Sequence, residues 1–149
     1  RKPRDVDEPI FNPLMIERSA IVALWIGGLG FFLFRGMLAS GFPLEHARNV
    51  LLLLMVLFEN VHMFNCRSET KSAFKVPLMQ NPILLFGVLG AFLIHILAMY
   101  LPIGQLILKT APVDGQIWLL VVGLALTCLL LMEWHKWWWN KRQVKKKLD

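Results

Sequence analysis

The residues best able to do chemistry lie together in one apolar stretch. Leu51–Cys66 carries Glu59, Asn60, His62, Met63 and Cys66 after an unbroken run of Leu, Met, Val and Phe. Glu59 stands about seven residues before the polar boundary that follows Cys66, roughly 10 Å along a helix. A carboxylate that deep in hydrocarbon costs on the order of 3 kcal/mol on insertion scales, so it needs a cation, a proton or a polar group on another helix. On a helix His62, Met63 and Cys66 follow Glu59 at i+3, i+4 and i+7 and share its face, while Asn60 is turned about 100° away. Glu59 and Asn60 offer oxygen donors, the ligand type that hard cations such as Ca²⁺ prefer. Ca²⁺ takes about six to eight such donors, more than one helix supplies, so the other ligands would come from other helices. Two other uses of this face stay open: Glu59 as a protonated or hydrogen-bonded packing residue, and His62 with Cys66 as a soft-metal pair.

The elements that must position these groups follow from composition. Of 149 residues, 56% are hydrophobic and only 17% charged, and the mean hydropathy is +0.55. Soluble chains carry about a quarter charged residues. The apolar residues form blocks of about 20, the length of a bilayer crossing. A soluble single domain, a disordered chain and a coiled coil are thereby excluded. The net charge of +6 sits mostly outside the apolar blocks, which reads as membrane topology and not as nucleic-acid binding. Cys66 and Cys128 make no disulfide framework and read as free thiols packed as small apolar groups.

The expected fold is all-α and polytopic, with four transmembrane helices at about Ser19–Ala39, Ala47–Cys66, Pro82–Tyr100 and Gln116–Trp134. Arg1, Lys2, Arg4, Arg18, Arg67, Lys71, Lys75 and the basic residues from Lys136 to Lys147 fall on one side; Arg48 and Lys109 fall on the other, with Arg35 near that end of the first helix. By the positive-inside rule both termini and the middle loop are cytoplasmic. Residues 1–18 form a cytoplasmic loop or linker, 19–134 the four-helix membrane domain and 135–149 a basic cytoplasmic tail. Ser40–His46 is a short external turn and Leu101–Gly115, with two prolines and a glycine before its last residue, the longer external loop. Trp134, Trp137, Trp138 and Trp139 mark the last inner boundary, and the lysines beyond them meet anionic lipid.

Ala20, Ala23, Gly27 and Gly30 make a small-residue stripe, widened by Gly28, of the kind that lets another helix approach closely. Gly87, Ala91 and His95 repeat the device on the third helix. Thr127 and Glu133, on the fourth, read as structural. The sequence contains no phosphate-cradling Gly-Lys loop, no zincin helix and no nucleophile elbow. It opens on Arg1 and not Met, with a polar, proline-bearing start that is not a signal peptide, and so reads as a piece of something longer.

The segment Glu59-Asn-Val-His-Met-Phe-Asn-Cys-Arg-Ser-Glu-Thr-Lys-Ser-Ala-Phe74 resembles the end of the eighth membrane helix, and the following loop, of type II cation-transporting P-type ATPases. Cys66-Arg67-Ser68 and Thr70-Lys71-Ser72 look like the secretory-pathway calcium/manganese pumps and their bacterial relatives. Arg1-Lys-Pro-Arg-Asp-Val-Asp-Glu-Pro-Ile-Phe-Asn12 is similar to the loop between the sixth and seventh helices, and Ile26-Gly27-Gly28 to the glycine pair with which the seventh helix packs against the fifth. The resemblance covers nearly the whole chain in order. It implies the last four of ten membrane helices of an ATP-driven pump, with ATP, Mg²⁺, the phosphorylated aspartate and the other ion ligands in the remainder. It carries one ligand over by position: Glu59 matches the acidic residue that the eighth helix lends to a calcium site in sarcoplasmic-reticulum-type pumps. His62 stands where relatives often have Asn, and Asn60 where they often have Met. Secretory-pathway-type pumps use a single site that need not involve this helix.

The expectation is therefore the C-terminal membrane domain of a cation pump, with Ca²⁺ as cargo, in a prokaryotic plasma membrane. Its partners would be lipid and the remaining helices and cytoplasmic domains of the pump. Two rivals remain: a free-standing membrane scaffold or subunit, and a proton-coupled carrier using Glu59 and His95.

Overall fold

The computed structural model describes residues 12–68 and 71–145; the segment Arg1–Phe11, with its resemblance to an interhelical loop, and the last four residues lie outside that range. The described residues form five α-helices and no strands: α1 (Pro13–Ala39), α2 (Leu44–Cys66), α3 (Pro82–Tyr100), α4 (Pro102–Leu108) and α5 (Gly115–Lys145). Two short 3₁₀ turns, Ala73–Lys75 and Leu78–Gln80, lie between α2 and α3. The long helices α1, α2, α3 and α5 are each long and apolar enough to cross a membrane.

Local chemistry sets the ends. Asn12 and Asn81 each precede a proline at the first helical position, and each side-chain Oδ1 accepts a backbone N–H one turn in: Met15 at 2.7 Å and Leu84 at 3.1 Å. Asparagine at the cap and proline at N1 are both matched to the unpaired donors of a first turn. The cap draws α1 back to Pro13, ahead of Ser19, where hydropathy alone begins the span. At the other end of α1, Gly41 takes a left-handed φ of 83°, and the Gly41 and Phe42 N–H groups bond back to the carbonyls of Leu38 and Met37, both at 3.1 Å. This doubly bonded helix stop, followed by Pro43, turns the chain tightly into α2.

The loop after α3 is not irregular throughout, as its two prolines and Gly104 suggested; it holds α4. A side chain at Gly104 would run into the backbone of Ala98, so only glycine lets α4 fold back on α3. Gln105 Nε2 and Thr110 Oγ1 donate to the carbonyls of Met99 and Ala98 at 2.9 and 2.8 Å, and Asn49 Nδ2 ties the start of α2 to Ala111 O at 2.7 Å.

α2 is the central helix, packed chiefly on α5, then on α1 and α3. Its buried side runs through Ala47, Val50, Leu54 and Phe58, and that of α5 through Val121, Ala125, Cys128 and Met132. Spacings of three and four keep each set on one face. α3 is peripheral: only His95 and Met99 are buried, and Ile83, Phe86, Leu93 and Ile94 point outward. α5 continues past Trp134 to Lys145, so much of the stretch read as a tail is the last turns of a spanning helix. Contacts one turn apart sustain it: Trp134 stacks near Trp138 (6.4 Å between ring centroids), Lys141 lies over the Trp137 ring at 3.9 Å and the Arg142 guanidinium over Trp138 at 3.2 Å.

Of the small residues on α1, Gly30 is the one pressed against a neighbour within this chain. A Cβ there would meet Met55 Cε at 2.7 Å and Leu51 Cδ1 at 3.2 Å, whereas one at Gly27 or Gly28 would meet nothing within 4 Å. Gly30→Leu should therefore force α1 from α2 and cost about 1–3 kcal/mol. Thermal unfolding in detergent is expected to show a lower midpoint for Gly30→Leu than for Gly27→Leu.

Candidate functional site

Glu59 lies on the face of α2 turned away from the bundle. Phe58 beside it is fully buried, and Glu59 is exposed. The same outward stripe holds Glu45, Arg48, Leu52 and Cys66, at successive spacings of three, four and seven residues. Asn60 and His62 are half-buried, and each has a buried side-chain nitrogen without a hydrogen-bond partner, Nδ2 and Nδ1 respectively. The other ring nitrogen of His62 lies 3.3 Å from Cys66 Sγ. Among the described residues no three His, Cys, Asp or Glu side chains converge as a metal-binding group. On this part of α2 the described residues place one exposed carboxylate, Glu59, with the half-buried amide of Asn60 one residue on.

His95 is 9% exposed on α3, with Nε2 buried and unpartnered, and so sits in a different environment from Glu59. Thr127 donates to its own backbone, Leu124 O, at 2.5 Å, and also accepts from Trp25 Nε1 at 2.9 Å, clasping α1 to α5.

A second polar cluster lies at the opposite end of the bundle from α4, where α1 begins and α2 ends. Arg18 and Lys136, which the positive-inside pattern counts as topology charges, are also buried: Arg18 is 9% exposed, and His135 and Lys136 are 2% exposed each. Arg18 Nη2 reaches the backbone carbonyl of the fully buried Asn65 at 3.4 Å. His135 Nε2 lies 3.1 Å from Glu17 Oε1, joining α5 to α1. Glu133 Oε1 accepts from Lys136 Nζ at 3.1 Å and from the Ala73 backbone N–H at 2.8 Å, pinning the α2–α3 loop to α5. Arg67 Nη2 braces that loop from within, donating to Val76 O at 2.8 Å and to Pro77 O. The signal for this cluster was present in the spacing: His135 and Lys136 continue the buried series of Val121, Ala125, Cys128 and Met132. Apolar patterning alone stops at the last apolar residue.

Glu133→Ala should free the loop: the Ala73 N–H loses its acceptor at a cost of about 1 kcal/mol. Faster amide exchange at Ala73 in the Ala variant, restored by Glu133→Gln, is the expected outcome.

The chain was compared with known families and proteins. The family described as "Cation transporting ATPase, C-terminus" matches residues 1–138. The "Probable cation-transporting ATPase F" of Mycobacterium tuberculosis (strain ATCC 25618 / H37Rv) is 30% identical over 125 residues, 84% of this chain and 14% of that protein. "Calcium-transporting ATPase type 2C member 2" of Mus musculus is 31% identical over 139 residues, 93% of the chain and 15% of that protein. "Calcium-transporting ATPase" of Bacillus subtilis (strain 168) is 34% identical over 82 residues, 55% of the chain and 9% of that protein. The chain thus spans about one-seventh of the length of the first two relatives. With four membrane-crossing helices and a family match over nearly its full length, the chain belongs to the C-terminal membrane domains of cation-transporting P-type ATPases.

Proposed function

We propose that this domain supports the transport helices of an ATP-driven Ca²⁺ pump and lends Glu59 to the path of the ion. The observation that carries the reading is the placement of Glu59: at membrane depth, exposed, and without a hydrogen bond or ion pair among the described residues. A carboxylate so placed needs a cation, a proton or a polar group on another helix. Relatives named for calcium transport support the choice of Ca²⁺. Asn60 stands ready as a second oxygen donor on the adjoining face.

The reading assigns a division of labour. ATP, Mg²⁺ and the phosphorylated aspartate belong to the remainder of the pump. α2 holds its carboxylate rigidly because its other face is fixed against α5 and α1. The loop-end cluster of Glu17, Arg18, Glu133, His135 and Lys136 keeps those three helices in register. The positive-inside distribution of charge supports a cytoplasmic location for that end and for both termini. Residues 1–18 and the segment from 135 onward would there meet the cytoplasmic domains, in a multi-pass protein of a prokaryotic plasma membrane. Gly27, with Ala20 and Ala23, faces away from this bundle and suits close approach by another pump helix.

Glu59→Gln in the full-length protein is expected to weaken Ca²⁺-dependent phosphorylation. Loss of one charged ligand should lower apparent affinity on the order of tenfold or more. An unchanged Ca²⁺ dependence withdraws the ligand role while leaving the supporting role in place.

A further inference from the structure

Three soft donors share the last turn of α2. Cys66 Sγ and His62 Nε2 lie 3.3 Å apart, four residues from each other on one side of the helix. Met63, three residues before Cys66, lines the same open cavity as that cysteine, a space of about 740 Å³ beside the α2–α3 loop. Cys66 is exposed and Cys128 is buried, so Cys66 is the thiol that a solute can reach. Thiolate, thioether and imidazole are the ligand types that favour soft metal ions. The oxygen donors that a hard cation prefers, Glu59 and Asn60, come a turn earlier.

The spacing suits a metal. An ion bonded to a thiolate at about 2.3 Å and to an imidazole nitrogen at about 2.1 Å, at a tetrahedral angle, holds the two donors roughly 3.6 Å apart. The observed 3.3 Å is within about 0.3 Å of that separation, so an ion can replace the thiol proton with little movement of either side chain. The methionine side chain has three rotatable bonds with which to bring its sulfur to the same point.

Charge narrows the choice of ion. Arg67, Lys71 and Lys75 line the cavity with Met63 and Cys66, and among the described residues no acidic side chain does. A dication would enter against that charge. A monovalent ion bound to one thiolate leaves the pair neutral. Softness and single charge together describe Cu(I).

We propose that His62, Met63 and Cys66 form a binding site for a soft monovalent metal ion, Cu(I). As the ion binds, the Cys66 thiol gives its proton to solvent, each donor contributes a lone pair to the metal, and no electron changes hands. The bound ion bridges residues one turn apart at the end of α2. The site differs in donor type from Glu59 and Asn60 and does not rest on their role in the path of the transported ion.

The test uses the full-length protein in mild detergent under ascorbate, with Cu(I) supplied from the chromophoric chelator bicinchoninate and its transfer read from the loss of colour. Wild type is expected to withdraw one more equivalent of Cu(I) than Cys66→Ser. His62→Gln and Met63→Leu each remove one donor and should weaken that equivalent on the order of tenfold. Glu59→Gln should bind it as wild type does. An unchanged elution profile checks that each variant folds. Equal uptake by wild type and Cys66→Ser overturns the proposal, as does wild-type affinity in both His62→Gln and Met63→Leu, which leaves only a thiol binding copper. Displacement of the bound Cu(I) by equimolar Zn²⁺ overturns the choice of a monovalent ion, and loss of the equivalent in Glu59→Gln overturns the soft donor set.

Discussion

A polar side chain at membrane depth must be partnered, because hydrocarbon offers it nothing to bond. This chain meets that constraint in two ways. Near one end of the bundle it satisfies its own charges: Glu17 with His135, Glu133 with Lys136 and the Ala73 N–H, Arg18 with the Asn65 carbonyl. At Glu59 the partner must come from elsewhere: the side chain is exposed, with no hydrogen bond or ion pair among the described residues. The first arrangement holds three helices together. The second, on the proposed function, leaves α2 a group to offer a neighbouring helix or an ion.

Without a hydrophobic force pressing helices together in lipid, association rests on close packing and a few interhelical bonds. Small residues at the contacts of α2 and α5, Ala47, Ala125 and Cys128, are almost wholly buried, and Gly30 admits the tips of Met55 and Leu51. The Trp25–Thr127 bond adds a polar clasp between α1 and α5. These contacts fix α2 from one side only. The other side, with α3's outward leucines, isoleucines and phenylalanine, is free to meet lipid or further helices.

The loop between α2 and α3 is held at several points along its described residues. Arg67 braces it from inside, Ser72 caps its first 3₁₀ turn, Glu133 holds it from α5, and Asn81 starts the next helix. Positive charge collected there has a structural setting: Arg67, Lys71 and Lys75 line a cavity beside the loop.

By itself the sequence determined the four candidate crossings, their order and the family. Each rests on a one-dimensional quantity: the length of an apolar run, the spacing of residues or the order of short motifs. Ends set by local bonding were legible too. Asn12-Pro13 is the same cap as Asn81-Pro82, but it lies outside the hydropathic block and so passed as linker. Only the tertiary structure decided which charges are buried. Arg18, His135 and Lys136 are covered because three helix ends converge on them, and convergence is a property of packing angles that no single helix encodes. The same holds for the division of α1's glycines: Gly30 meets α2 while Gly27 and Gly28 do not, since a helix has one stripe pattern but several neighbours, and only their positions say which stripe is filled.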